Sequence, residues 1–235
     1  MAHVVELFGA PGTGKSSLAR ALDGRDVAGR RIVTAERLTR VPRSGLLGRL
    51  RDRALTPAER RAALAARRDD WAELLAMAAA APSALADDPL RALHATGRLT
   101  ATLELRALAD DAPDDLIVVL DEGLVQRAPV ACGPAPDDAT LERYLAALPP
   151  TALHVHLRDA PATLVSRLRA RGRVIDRHVG LDDAELLGSV IDDAVLMARC
   201  AAASEAAGQR VIASTVGRGT AAIADDVVEA LGMLS

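Results

Sequence analysis

The sequence predicts an α/β fold, a mostly parallel five-stranded sheet with helices on both faces, and three observations predict it. Five short apolar runs read as strands: His3–Phe8, Arg31–Ala35, Leu116–Leu120, Leu153–Leu157 and Gln209–Ala213. Segments of helical periodicity separate them, and strands alternating with helices build parallel crossover units. The first run leads straight into a glycine-rich turn, Gly9-Ala10-Pro11-Gly12-Thr13-Gly14-Lys15-Ser16, followed by the helical pattern Leu18, Ala19 and Leu22. A chain of 235 residues with 50% hydrophobic residues can bury a sizeable core, so residues 1–235 read as a single domain.

The turn after the first strand fits Gly-x-x-x-x-Gly-Lys-[Ser/Thr], in the strand-to-helix context that makes this spacing a phosphate-binding loop. Its glycines let successive backbone N–H groups point inward at phosphate oxygens, and the helix that follows adds its positive N-terminal end. Gly9, Gly12, Thr13, Gly14, Lys15, Ser16 and Ser17 are therefore the candidate nucleotide-binding residues. Lys15 is placed to reach the β- and γ-phosphates, and the Ser16 hydroxyl to join the shell of a Mg²⁺ ion. Among 29 Lys+Arg, Lys15 is the one lysine. A compact ammonium is not interchangeable with a planar guanidinium, so this retention points to a task.

The second run ends in Thr34-Ala35-Glu36-Arg37, and residues 37–68 carry ten arginines against only Asp52 and Glu59. These arginines are either a solvated face or, at Arg37, Arg40 or Arg43, contacts to an anionic acceptor. Thr56-Pro57-Ala58-Glu59 is a capping box with proline in the first helical position, which predicts a helix from Pro57 to about Ala81. Its buried stripe is Leu64, Trp71, Leu74 and Ala78. Asp88-Pro89 starts a further helical segment with Leu90, Leu93, Leu99 and Leu103, ending near Asp110. Residues 36–112 thus read as a helical insertion on the acceptor side of the site.

The third run closes with Leu120-Asp121-Glu122-Gly123. An apolar strand ending in an acid is the partner of a phosphate-binding loop, because the carboxylate sits beside the loop and helps hold Mg²⁺; Asp121 joins Ser16 as a candidate metal residue. A short helix (Leu141, Tyr144, Leu145, Leu148) precedes the fourth strand, on which His154 and His156 share one face. No other histidine has ligand spacing to them, so packed or hydrogen-bonded histidines are expected rather than zinc. Arg158-Asp159-Ala160-Pro161 opens a helix carrying Arg167 and Arg171 one turn apart, with Arg169 and Arg173 nearby. Residues 167–183 read as an arginine-rich lid, against the alternative of a salt-bridged surface. A long helix (Leu187, Val190, Ile191, Ala194, Met197, Ala201), the fifth strand, a loop over Ser214–Thr220 and a terminal helix (Ile223, Val227, Leu231) complete the chain.

No asparagine and abundant alanine, arginine and aspartate mark the coding bias of a GC-rich genome, so much of the composition carries no functional message. A net charge of −3 supplies no global field for nucleic acid or an anionic membrane, and neither is expected as a partner. There is no run of about 18 apolar residues and no charged leader with a cleavage site ahead of the first strand. A cytoplasmic protein is expected, with Cys132 and Cys200 as free thiols.

With loop, strand-end acid, arginine-rich flap and small final loop placed, the chain resembles the nucleoside and nucleotide kinases of the P-loop NTPase fold, in a thymidylate-kinase-like arrangement. The resemblance covers the ends of the chain better than its middle. It implies that Gly9 to Ser17 hold the donor phosphates of ATP, that Asp121 organises Mg²⁺, and that Arg167, Arg171 and Arg173 are lid arginines. Val216 and Gly217, within Ser214 to Arg218, then contact the adenine. Glu36 falls where several small-molecule kinases of this group keep the acid that binds or deprotonates the acceptor hydroxyl. Thymidylate kinases usually follow the strand-end acid with arginine, whereas this chain has Glu122.

The expectation is an ATP- and Mg²⁺-dependent small-molecule kinase, with Lys15, Glu36, Asp121, Arg167 and Arg171 as catalytic residues and Asp121 as second candidate for the base. One Trp, one Tyr and one Phe leave little for base stacking, which favours a sugar, aminocyclitol or other hydroxyl-bearing acceptor over a nucleobase. Two rivals stand beside it: an ATPase or nucleotide switch in which Glu122 activates water, and a binding-only scaffold. A homodimer is left open.

Overall fold

A computed structural model describes residues 3–41, 53–81, 89–171 and 178–233. Its centre is a six-stranded sheet in the order β2-β3-β6-β1-β7-β8, from β1 (His3–Phe8), β2 (Asp26–Val27), β3 (Arg30–Thr34), β6 (Leu116–Leu120), β7 (Leu153–Arg158) and β8 (Val211–Thr215). Every neighbouring pair is parallel except β2 with β3. Val5 stands opposite both Val119 of β6 and Leu153 of β7, so apolar side chains meet across the middle of the sheet, as strands covered on both faces require. A separate ribbon pairs β4 (Arg40–Val41) with β5 (Arg53–Ala54).

Helices cover both faces. On one, Val5, Leu7, Ile32, Val119 and Val155 pack under Leu18 and Leu22 of α1 (Lys15–Leu22) and under Ile223, Val227 and Leu231 of α10 (Thr220–Gly232). On the other, Phe8 joins Leu99 and Leu103 of α5 (Pro89–Asp110), Leu141 and Tyr144 of α7 (Asp138–Ala146), and Met197 and Cys200 of α9 (Asp183–Ala206). Between β3 and β6 the chain forms α2 (Ala35–Leu38), the β4–β5 ribbon, α3 (Pro57–Ala65), α4 (Ala72–Ala80) and α5. The short α6 (Ala128–Ala131) and α8 (Pro161–Ala170) follow β6 and β7. No described helix is long and apolar enough to cross a membrane.

The sheet has six strands where the sequence suggests five. The sixth is β2, a two-residue strand antiparallel to β3 across Ala28-Gly29, whose φ angles are 49° and 79°. Two residues show no alternation, and the turn lacks the Asn-Gly or Asp-Gly signature of such hairpins. The expected helix from Pro57 to Ala81 is broken: α3 starts at its capping box, with Thr56 Oγ1 accepting from the Glu59 N–H at 3.2 Å, but residues 66–71 form turns before α4. The break falls at Arg67-Arg68-Asp69-Asp70, whose aspartates favour turns over helix interiors, and it lets Trp71 enter the core. Leu90 and Leu93, expected in the stripe of α5, are exposed at 63% and 68%, whereas Ala92 and Ala95 are buried, so the start of α5 turns its alanines inward and its leucines out. The last strand begins two residues later than expected.

Candidate functional site

The crossover from β1 leads by α1 towards β3, and the one from β7 leads away to β8. The carboxyl ends of these adjacent strands therefore flank a topological switch point, where ligands bind in open parallel sheets. The glycine-rich loop lies there. Gly9 adopts φ 148°, and a Cβ on it would stand 2.2 Å from the Leu157 carbonyl oxygen of β7, so only glycine lets the loop leave the sheet on this path. Gly12 packs against the backbone of Leu164 in α8, and Ala10 joins Leu164, Leu168, Leu186 and Val190 in a small core between α8 and α9. Thr13 is buried, and its Oγ1 donates to the Ala10 carbonyl at 2.9 Å. Gly14, at φ 81°, hands the chain into α1.

Lys15 is buried in the first turn of α1, and its Nζ donates to the carbonyls of Gly9 at 2.8 Å and Ala10 at 3.4 Å. Burial pulls its pKa down to about 8; the charges of Glu122, Asp121 and Asp193 oppose this and that of Arg127 adds to it. Two of these acids follow β6 and the third lies in α9. The Ser16 hydroxyl donates to Asp121 Oδ2 at 2.8 Å, which joins the two residues predicted from sequence to share a metal. Ser17 Oγ accepts from Arg20 at 3.4 Å.

Glu36 is exposed in α2, just beyond the end of β3, and has no ion pair among the described residues. Its neighbour Arg37 bonds Asp23 at 2.6 Å. In α8, Arg167 pairs with Asp159 at 2.9 Å, Arg169 with Asp183 of α9 at 2.8 Å, and Arg171 stands exposed at the helix end. Two of these three arginines are therefore salt-bridged. Arg43 and Arg173 lie outside the described residues, as does the side chain of Arg40. Val216 and Gly217 belong to a single 3₁₀ turn (Val216–Arg218) after β8, and Arg218 bonds Asp226 of α10. His154 and His156 pack around Phe8, His156 stacked at 5.0 Å and His154 edge-on at 6.2 Å between ring centroids.

Several site residues are invisible to sequence reasoning. Gln126 Oε1 accepts the Gly9 N–H at 2.9 Å. Arg127 donates to Glu122 at 2.8 Å and to Thr102 of α5 at 2.9 Å. Beneath them, Glu6 and Arg106 are each 1% exposed and pair at 3.0 Å, and Glu6 also accepts the Val125 N–H at 3.2 Å. Asp193 enters from α9. A charge at the centre of the apolar first strand is a signal that finds Glu6; nothing local marks Gln126, Arg127 or Asp193. No known protein family matches this chain, and no curated protein matches its sequence.

Proposed function

We propose that the protein is an ATP-dependent phosphotransferase of the P-loop NTPase fold, moving the γ-phosphoryl group to a hydroxyl or phosphate of a small molecule. The observation that carries this is the Ser16–Asp121 bond at 2.8 Å beside the buried Lys15: the residues a magnesium–polyphosphate complex needs converge from β1–α1 and β6. The strand order supports it, since the loop lies at the switch point. Residues and ions fit each other chemically. Ser16 and Asp121 would hold Mg²⁺, which supplies charge neutralisation at the phosphates, and a magnesium site of one carboxylate, one hydroxyl, substrate oxygens and water is ordinary.

The chain's own residues do the rest. The loop's backbone N–H groups and the start of α1 bind the phosphates, and Lys15, released from the Gly9 and Ala10 carbonyls, neutralises charge on the oxygens being transferred. Glu36 takes or orients the acceptor proton, with Asp121 as the other candidate. Arg171, exposed beside the loop-packed α8, reaches anionic oxygens more readily than Arg167, which must first leave Asp159. The scarcity of aromatic side chains favours a sugar or aminocyclitol acceptor over a nucleobase.

One observation favours a second reading, nucleotide hydrolysis or a nucleotide switch acting on a protein partner: Glu122 directly follows Asp121 at the end of β6, and its carboxylate, paired with Arg127 at 2.8 Å, is still half exposed to water. Transfer from γ-labelled ATP with Mg²⁺ to pooled nucleosides, nucleoside monophosphates, sugars and aminoglycosides separates the two. Label in one pool, lost in Lys15→Ala and reduced at least about tenfold in Glu36→Gln with ATP affinity retained, is the expected result. Rapid hydrolysis without acceptor, unchanged by every pool, would overturn it in favour of Glu122.

A further inference from the structure

We propose that Gln126 is a positioning residue that locks the acid-bearing segment 121–127 to the glycine loop and so sets Lys15 against Asp121. This inference rests on the phosphotransferase reading.

Two side-chain bonds join the segment to the loop. Asp121 meets Ser16 at the loop's far end, and Gln126 meets Gly9 at its near end, 117 residues away in sequence. Gly9 is held from both sides of its own backbone. Its N–H goes to Gln126, and its carbonyl takes the Lys15 ammonium at 2.8 Å, so a shift of Gln126 moves the oxygen on which Lys15 rests.

Gln126 is itself held in place. The Val125 N–H beside it is bonded by the buried Glu6, and Gly123 lies so close to Glu6 that a Cβ there would come within 2.5 Å of the carboxylate. On the other side, Arg127 is anchored to Thr102 and Glu122. Fixed on both flanks, the backbone at Gln126 is held where its partly buried amide side chain reaches the Gly9 N–H. Reacting groups lose about a hundredfold in rate for displacements near 1 Å, so a two-point clamp on the loop has catalytic weight that one hydrogen bond does not suggest.

The rival account is that Gln126 merely satisfies the Gly9 donor. Gln126→Met keeps the length and removes the acceptor oxygen, whereas Gln126→Glu keeps an oxygen facing the amide. The probe is ATP with Mg²⁺ alone, read as dissociation constant and acceptor-free hydrolysis, together with hydrogen exchange at the Gly9 amide. A positioning role gives faster Gly9 exchange and about tenfold slower hydrolysis in Gln126→Met, with ATP affinity within about twofold of the parent protein, and slower Gly9 exchange in Gln126→Glu than in Gln126→Met. Faster exchange with unchanged hydrolysis overturns the proposal and leaves donor satisfaction. Unchanged exchange overturns it by showing that the bond is not made. A parent protein that binds no ATP, yet whose Gly9 exchange responds to Gln126→Met, refutes the phosphotransferase reading and removes the catalytic role with it, while the lock itself stands.

Discussion

The buried pair of Glu6 and Arg106 is the residue-scale feature with the largest energetic consequence. Each side chain is 1% exposed, and Arg106 also donates to Asp110 at 2.9 Å and Thr151 at 2.8 Å, so its guanidinium is well satisfied. Removing one partner of such a pair leaves an uncompensated charge out of water, at a cost of about 3–5 kcal/mol, whereas apolar replacement of both is often nearly neutral. Arg106→Met should therefore lower stability by about 3 kcal/mol or more, and Glu6→Gln/Arg106→Met should recover much of that loss in urea unfolding. A double variant no better than Arg106→Met would show that the pair is not the determinant. At this scale legibility was uneven. Lys15, Ser16 and Asp121 could be read from spacing because their roles follow from local backbone geometry. Gln126, Arg127 and Asp193 act through contacts between segments far apart in sequence, for which a single chain carries no pattern.

At the scale of elements, the strands of the parallel sheet were legible because burial on both faces makes them plain apolar runs. The β2–β3 hairpin was not, since its turn places Ala28 at φ 49°, a left-handed conformation that alanine adopts only under strain. Asparagine tolerates that conformation and completes the Asn-Gly pair that such turns prefer. Ala28→Asn should raise stability by about 0.5–1 kcal/mol, seen as a higher thermal midpoint, and a lower midpoint would contradict the turn assignment. The break between α3 and α4 escaped the periodicity because Leu64, Trp71, Leu74 and Ala78 keep a helical stripe across it. Both pieces present one apolar side to the same core, so the hydrophobic pattern survives the interruption.

For the whole molecule, the two histidines of β7 contribute to the response to acid. Burial lowers both imidazoles, His156 to about 4; a nearby Arg158 adds to this for His156. Neither ring nitrogen of His154 has a hydrogen-bond partner among the described residues. At His156 the unfolded chain therefore binds more protons than the folded one between pH 6.5 and 4, and the stability this residue contributes falls as pH drops through that window. His156 alone contributes about 3 kcal/mol across it. The urea midpoint should decline from pH 7 to 4.5, and His156→Leu should flatten the decline; equal slopes for the two proteins would remove His156 as the cause. The buried Lys15 has a different consequence for the entire chain. A protease specific for lysine has one bond to cut, it lies in the first turn of α1, and cutting it separates β1 and its loop from everything else. Cleavage thus has to await opening of the loop and of the first turn of α1, so its rate reports how often this one site loosens.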